Sequence, residues 1–109
     1  MKHQMNLKPY PFSQIASGKK TIELRLYDEK RQKIAIDDEV EFTCEDKRLN
    51  CRVIALHRFS SFAELYAKLP LEKCGYNNPD EADPDDMLLY YSEQEQKRYG
   101  VVGIEIELM

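Results

Sequence analysis

Four short segments of the chain alternate apolar and polar residues with a period of two. They are residues 20–26, 40–44, 49–55 and 102–108. Successive side chains of a β-strand point to opposite faces, so this period is typical of strands that bury one face. The polar residues 45–48 separate the second segment from the third, which predicts a β-hairpin. The chain must therefore fold around a sheet of short strands with at least one covered face.

Helix signals lie between these segments. Phe12 and Ile15 follow Pro11 at helical spacing, and Gly18 is a suitable left-handed cap for the end of that helix. Further helix starts are predicted from capping residues, namely the boxes Ser61–Glu64 and Ser92–Glu95, and Asp83 before Pro84. With a short strand near residues 3–7, this order predicts an α+β domain of about five to six mixed or antiparallel strands and two to four helices.

Length and composition favour one globular domain over residues 1–109. Two separate cores in 109 residues would each be marginal. The chain is 42% hydrophobic and 33% charged, which excludes a disordered chain, and no apolar run is long enough to span a bilayer. The first residues lack the apolar core of a secretory signal, so we expect a cytoplasmic protein without a membrane partner.

The cysteines and histidines do not predict a metal site. Cys44, Cys51 and Cys74 form no CxxC pair, and His3 and His57 stand in no ligand motif. We expect buried, reduced thiols, with Cys44 and Cys51 on one face of the hairpin. No metal and no other cofactor is predicted.

Charge is distributed unevenly along the chain. The net charge is −4, made up of +2 over residues 1–54 and −6 over residues 55–109. Residues 77–95 hold seven acidic residues and no basic one, whereas residues 18–33 are net basic. An acidic chain argues against binding to long duplex DNA, whose affinity depends on phosphate neutralisation. A local basic strip is nevertheless suited to a phosphate or a short single strand.

The densest polar cluster in the chain is the octet of residues 18–25. Thr21, Glu23 and Arg25 share one strand face, which would display a hydroxyl, a carboxylate and a guanidinium together. Lys20 has the opposite parity, so it joins them only if the strand starts after it or a bulge turns it. On composition alone, a solvated strand face is the favoured explanation of Glu23 and Arg25.

The octet fits G-x-K-x-x-E-x-R through Gly18, Lys20, Glu23 and Arg25, and in this it resembles the ASCH domain family. Nearly the whole chain agrees, including the Tyr-containing helical insert and the final strand entered through residues 98–102. The resemblance implies a small β-barrel similar to PUA domains, with a cleft beside the motif strand. It also implies binding of RNA or nucleotides, often linked to translation or RNA modification.

The resemblance assigns roles to the octet. Lys20 and Arg25 would hold phosphate or carbonyl oxygens, and Glu23 would read a base or act on a proton. Tyrosine rings in such a cleft would stack on a base. Helical spacing predicts that Tyr91 is in the core and Tyr90 exposed. The predicted ligand-binding residues are Gly18, Lys20, Thr21, Glu23, Arg25, Tyr90, Arg98 and Tyr99.

Two rival functions remain open on these residues. A related branch of small bacterial proteins hydrolyses the acyl amide of N4-acetylcytidine, and Lys20 matches its lysine. Where that branch has a nucleophilic threonine, this chain has Glu23. An enzyme here would therefore use Lys20 and Glu23 as its catalytic residues. It would act as an amidohydrolase or cleave RNA. Alternatively, the acidic segment 77–95 would bind a protein partner.

Overall fold

A computed structural model describes all residues from 1 to 109 and shows a curled five-stranded sheet, half of a barrel, with helices packed on it. The strands are β1 (Lys2–Asn6), β2 (Ile22–Leu26), β3 (Glu39–Cys44), β4 (Lys47–Phe59) and β5 (Val101–Leu108). The α-helices are α1 (Pro9–Ala16), α2 (Phe62–Lys68) and α3 (Glu93–Tyr99). Short 3₁₀-helices span Arg31–Lys33, Pro79–Glu81 and Pro84–Leu89. The strand order is β1-β3-β4-β5-β2, with β1 parallel to β3 and every other pair antiparallel. The predicted α+β class is confirmed.

Each face of the sheet carries its own core. The inner, concave face buries apolar residues of β1, β3, β4 and β5 against α1, whose Ile15 is fully buried among them. The outer face of β2 and β5 packs against α2, with Phe62 and Leu65 at the centre of that contact. Because both faces of β2 are covered, every residue of that strand except Arg25 is buried.

A β-bulge in β4 corrects one expectation from the period of two. Val53 pairs with Ile106 but Ala55 pairs with Glu105, so Ile54 is an extra residue in the strand. The inserted residue moves Ala55 off the inner face and places Leu56 there, opposite Ile104. The prediction that Ala55 shares the face of Val53 is therefore wrong. Sequence alternation contained no sign of the bulge because Ile54, Ala55 and Leu56 are all apolar.

Two edge strands of the sheet are brought together by side chains rather than by a ladder. Arg25 Nη2 donates to the carbonyl oxygen of Asn6 at 2.9 Å, and Lys30 Nζ donates to the carbonyl oxygen of Gln4 at 2.8 Å. These bonds run from β2 and the loop after it to the free edge of β1. They hold the curled sheet near closure without a sixth strand.

The helix caps follow the predictions closely. Ser92 and Glu95 form a reciprocal capping box at the start of α3. Ser61 caps α2 by accepting from the N–H of Glu64, whose carboxylate accepts from Ser60 instead of returning the bond. Asp83 caps the 3₁₀-helix that begins at Pro84. No helix is long and apolar enough to cross a membrane.

We predict that Gly100→Ala destabilises the fold by about 2–3 kcal/mol. Gly100 has φ +72° and ψ −175°, a region that only glycine enters readily, and a Cβ there would lie 3.0 Å from the carbonyl oxygen of Phe59. Gly18→Ala is the matched control, since φ is +79° but a Cβ would meet no atom within 4 Å. We expect the control to cost about 1 kcal/mol. Urea unfolding measures both, and equal losses would contradict the steric argument.

Candidate functional site

The turn after α1 determines where the Lys20 side chain lies. Gly18 ends the helix with a positive φ of 79°, as predicted. The carbonyl oxygen of Gln14 accepts from the N–H groups of both Lys19 and Lys20. Strand β2 then begins at Ile22, so Lys20 precedes the strand. The alternation of side chains along β2 therefore does not determine the face on which Lys20 lies. This is the first of the two arrangements that allow Lys20 to join Glu23 and Arg25.

Lys20, Glu23 and Arg25 form a buried ion cluster, which we call the ion triad. Lys20 Nζ lies 2.8 Å from Glu23 Oε1, and Arg25 Nε donates to Glu23 Oε2 at 2.7 Å. The Glu23 side chain is 5% exposed, that of Lys20 11% and that of Arg25 14%. Each carboxylate oxygen therefore has one cationic partner, and the triad carries a net charge of +1.

The two cations keep Glu23 ionised. Burial alone raises the pKa of a carboxyl group, but the ammonium of Lys20 and the guanidinium of Arg25 more than offset this and hold the pKa of Glu23 below its usual range. At neutral pH the site therefore presents a carboxylate that accepts hydrogen bonds, flanked by donors. Arg25 commits Nε to Glu23 and Nη2 to Asn6, which leaves its Nη1 without a protein partner.

The triad lies in the wall of a cavity of about 370 Å³ at the free edge of β2. This volume is within the range of about 300–1,000 Å³ that is typical of small-molecule sites. Its lining comes from five regions: β2 with the turn before it, the end of β1 with α1, helix α2, the segment around Gly75, and the acidic segment. The lining residues outside the triad are Asn6, Leu7, Lys8, Tyr10, Pro11, Gln14, Leu24, Tyr66, Cys74, Gly75, Tyr76, Met87, Tyr90 and Tyr91.

Gly75 allows three parts of the chain to meet beside the triad. Its φ is +107°, and a Cβ there would lie 2.9 Å from Gln14 Oε1 and 3.3 Å from Lys20 Cδ. The buried Gln14 side chain donates from Nε2 to the carbonyl oxygen of Gly75 at 2.8 Å. The lysine stem is thus packed between α1 and residue 75, which orients its ammonium toward Glu23.

Tyrosines form much of the rest of the wall. The hydroxyls of Tyr66 and Tyr76 are 2.7 Å apart, and Tyr76 donates to Asp86 at 2.9 Å. Burial raises the pKa of Tyr66 to about 12, so its hydroxyl stays protonated. Tyr91 stacks on Phe62 in the outer core, whereas Tyr90 is 60% exposed at the rim of the cavity. The expectation that Tyr91 is core and Tyr90 exposed is confirmed.

The backbone of Leu24 adds hydrogen-bonding groups to the wall. In the β2–β5 pair, the carbonyl oxygen of Thr21 accepts from Ile106 and the N–H of Tyr27 donates to Gly100. Hydrogen-bonded and open positions alternate in an antiparallel pair, so the N–H and C=O of Leu24 point away from β5. Because β2 is an edge strand, this donor and acceptor face the cavity.

The chain is similar to a known protein family and to solved structures. A family model described as the ASCH domain matches residues 5–109. The chain belongs to the ASCH family. The crystal structure of a hypothetical protein, PH0355, is 38% identical with a TM-score of 0.88 and full coverage of both chains. The solution NMR structure of protein PF0455 from Pyrococcus furiosus is 38% identical with a TM-score of 0.77, covering 100% of this chain and 98% of that one. No curated protein matches.

Membership of the ASCH family supports RNA binding or a related function. The half-barrel is the fold that the two solved structures share with this chain. The predicted small barrel with helices around it is therefore confirmed.

This ASCH domain brings only half of the predicted binding residues together. Lys20, Glu23, Arg25 and Tyr90 line the same cavity. Gly18 and Thr21 lie in a separate depression between the end of α1 and β5, which Lys20 also lines. Arg98 and Tyr99 are not in the cavity: Tyr99 lines a separate groove, and the Arg98 guanidinium lies 5.1 Å from the centroid of its ring.

Several wall residues were not predicted from the sequence. Gln14, Tyr66 and Gly75 lie in parts of the chain that carry no binding motif, and a contact such as Gln14 to Gly75 joins residues 61 positions apart.

Cys74 also lines the cavity, where burial raises the pKa of its thiol to about 11. All three cysteines are buried and unpaired, as expected. No group of three or more metal-ligating side chains is present.

We predict that Glu23→Gln lowers the free energy of unfolding by about 3 kcal/mol at pH 7. The substitution keeps the shape but leaves two buried cations without their counter-ion. Because the pKa of Glu23 is lower in the folded state, its stabilisation is complete above the unfolded value of about 4.3 and is lost as pH falls through the folded value. Urea unfolding from pH 7 to pH 2.5 should show the gap between wild type and variant closing only below about pH 4.

Glu107→Gln is the matched control. Glu107 also pairs with an arginine, Arg52, but both side chains are nearly half exposed. We expect it to change the free energy of unfolding by less than about 1 kcal/mol. A loss at Glu23 no larger than at Glu107 would contradict the view that burial makes the triad structurally important.

Proposed function

We propose that this ASCH domain binds RNA by holding a nucleobase in the cavity beside the ion triad. The observation that carries the proposal is the position of Glu23, Lys20 and Arg25 in the wall of a nucleoside-sized, tyrosine-lined cavity. A buried carboxylate accepts from the exocyclic amine or ring N–H of a base. The neighbouring cations offer N–H donors to carbonyl or phosphate oxygens.

The rest of the cavity lining also offers groups that can bind a base. Bases stack on exposed aromatic rings, and Tyr90 and Tyr10 both present such a ring in the lining of the cavity. The backbone N–H and C=O of Leu24 supply one donor and one acceptor at the strand edge. Recognition by polar groups that are fixed by the fold would require little reordering on binding.

Charge further limits which part of the ligand enters. The lining residues Lys8, Lys20 and Arg25 against Glu23 give a modest positive balance. The acidic segment 77–95 supplies the opposite wall through Met87, Tyr90 and Tyr91. The seven acidic residues of that segment repel a phosphate, so we expect an uncharged base in the cavity with its phosphates outside. A role in RNA modification or translation would rest on such binding.

Tyr90→Ala tests the stacking role. If a base stacks on this ring, the substitution should weaken binding by about five-fold to 100-fold. The measurement is calorimetric titration with the four ribonucleosides, N4-acetylcytidine and single-stranded hexaribonucleotides. Because Tyr90 is 60% exposed, the variant should fold normally, which thermal melting checks.

The adjacent Leu89 provides the control for Tyr90→Ala. It is 84% exposed and does not line the cavity, so Leu89→Ala should leave every affinity unchanged. Equal effects of the two variants, or no binding of any probe to the wild type, would refute the proposal.

A second candidate is hydrolysis of the acyl amide of N4-acetylcytidine at the same cavity. Lys20 Nζ is 2.8 Å from the Glu23 carboxylate, so a general base and an oxyanion-stabilising cation adjoin. Glu23 would take a proton from water, the resulting hydroxide would attack the amide carbonyl, and cleavage of the C–N bond with proton return to N4 would give cytidine and acetate. The lowered pKa of Glu23 makes it a weak base, so we rank this candidate second.

Chromatography after incubation with N4-acetylcytidine distinguishes the two candidates. We expect binding without formation of cytidine. Cytidine production that Lys20→Ala abolishes, and that Leu89→Ala does not, would replace the binding function with the hydrolytic one.

A further inference from the structure

Tyr27 and Arg58 form an arginine–tyrosine stack beside the cavity. The Arg58 guanidinium lies 4.1 Å from the centroid of the Tyr27 ring. Arg58 is exposed and makes no hydrogen bond or ion pair, so all of its N–H groups are available to a ligand. The stack opens onto the groove of about 400 Å³ that Tyr99 also lines.

The bulge in β4 places this stack on the same face as the ion triad. After the extra residue Ile54, Arg58 pairs with Val102 of β5, and on the other side of β5 the same Val102 pairs with Arg25. Residues paired directly across strands point to the same face, so the two arginines flank Val102 on the inner face. Two strand spacings separate their Cα atoms, about 10 Å. Without the bulge, His57 would occupy that face and Arg58 would point outward.

The groove also has the charge that a polyanion requires. Its single acidic residue, Glu64, accepts from Ser60. Arg58 lines the groove opposite this one carboxylate, and outside the lining the Arg98 guanidinium lies 5.1 Å from the centroid of the Tyr99 ring. Both tyrosine rings in the groove therefore carry an arginine that can hold a phosphate.

We infer that the Tyr27–Arg58 stack is a second subsite, which holds a phosphate and nucleotide flanking the base in the cavity. The inference rests on the proposed function and deepens it: the ligand is single-stranded RNA of at least two nucleotides, not a free nucleoside. From Arg58 the groove continues to Tyr99, whose ring Arg98 covers. It gives these last two residues the binding role that the cavity itself does not offer them.

Affinity measured against RNA length tests the subsite. Single-stranded oligoribonucleotides of two to six residues should bind more tightly than the corresponding nucleoside, and binding should weaken with salt. Arg58→Ala should reduce oligonucleotide affinity by about ten-fold and lower the slope of log affinity against log salt by about one, while nucleoside affinity stays unchanged. Unchanged nucleoside binding also shows that the variant is folded.

Arg48→Ala is the control, because it removes the same charge from an exposed position on β4 about 30 Å away along the strand. It should leave oligonucleotide affinity unchanged. Equal losses for the two variants, or oligonucleotides that bind no better than the nucleoside, would overturn the subsite and leave the cavity proposal standing. Failure of both nucleoside and oligonucleotides to bind would overturn the proposed function, and the subsite with it.

Discussion

One buried carboxylate constrains this fold more than any other group. Glu23 occupies a position on the inner face of the sheet where other strands place apolar side chains, opposite Ile104. A buried charge is tolerated only when it is paired and hydrogen-bonded. Lys20 must therefore reach it from the turn after α1, and Arg25 from two residues along β2. Through Arg25 the same cluster extends to the edge of β1 at Asn6.

This constraint explains why the cavity is polar on one side and aromatic on the other. The cations of the triad have N–H donors that no protein group accepts. The triad therefore requires open space at the free edge of β2. The acidic segment and the segment around Gly75 cover that edge with tyrosines, and the hydroxyl of Tyr76 pairs with Tyr66 of α2 and with Asp86. The donors of the site are thus fixed by contacts that also stabilise the fold, an arrangement that makes a site rigid before its ligand arrives.

Local chemistry made much of the fold predictable. The period of two identified β2 to β5, and serine and aspartate caps located the helix starts, because both signals depend on neighbouring residues alone. The grouping of Lys20 with Glu23 depended on where β2 begins, which the turn bonds to Gln14 decide. The bulge at Ile54 could not be predicted because it lies in an apolar run. The contact of Gln14 with Gly75 could not be predicted because it joins segments that are distant in the sequence.

The side-chain closure of the sheet has a consequence for behaviour in concentrated solution. An exposed strand edge is a template on which other chains add strands and aggregate. On β1 the carbonyl oxygens of Gln4 and Asn6 face that edge, and both are already occupied by Lys30 and Arg25. A second molecule would have to displace two cations to pair there. The β1 edge of the half-barrel is thus protected against strand addition without the further strand that a closed barrel would need.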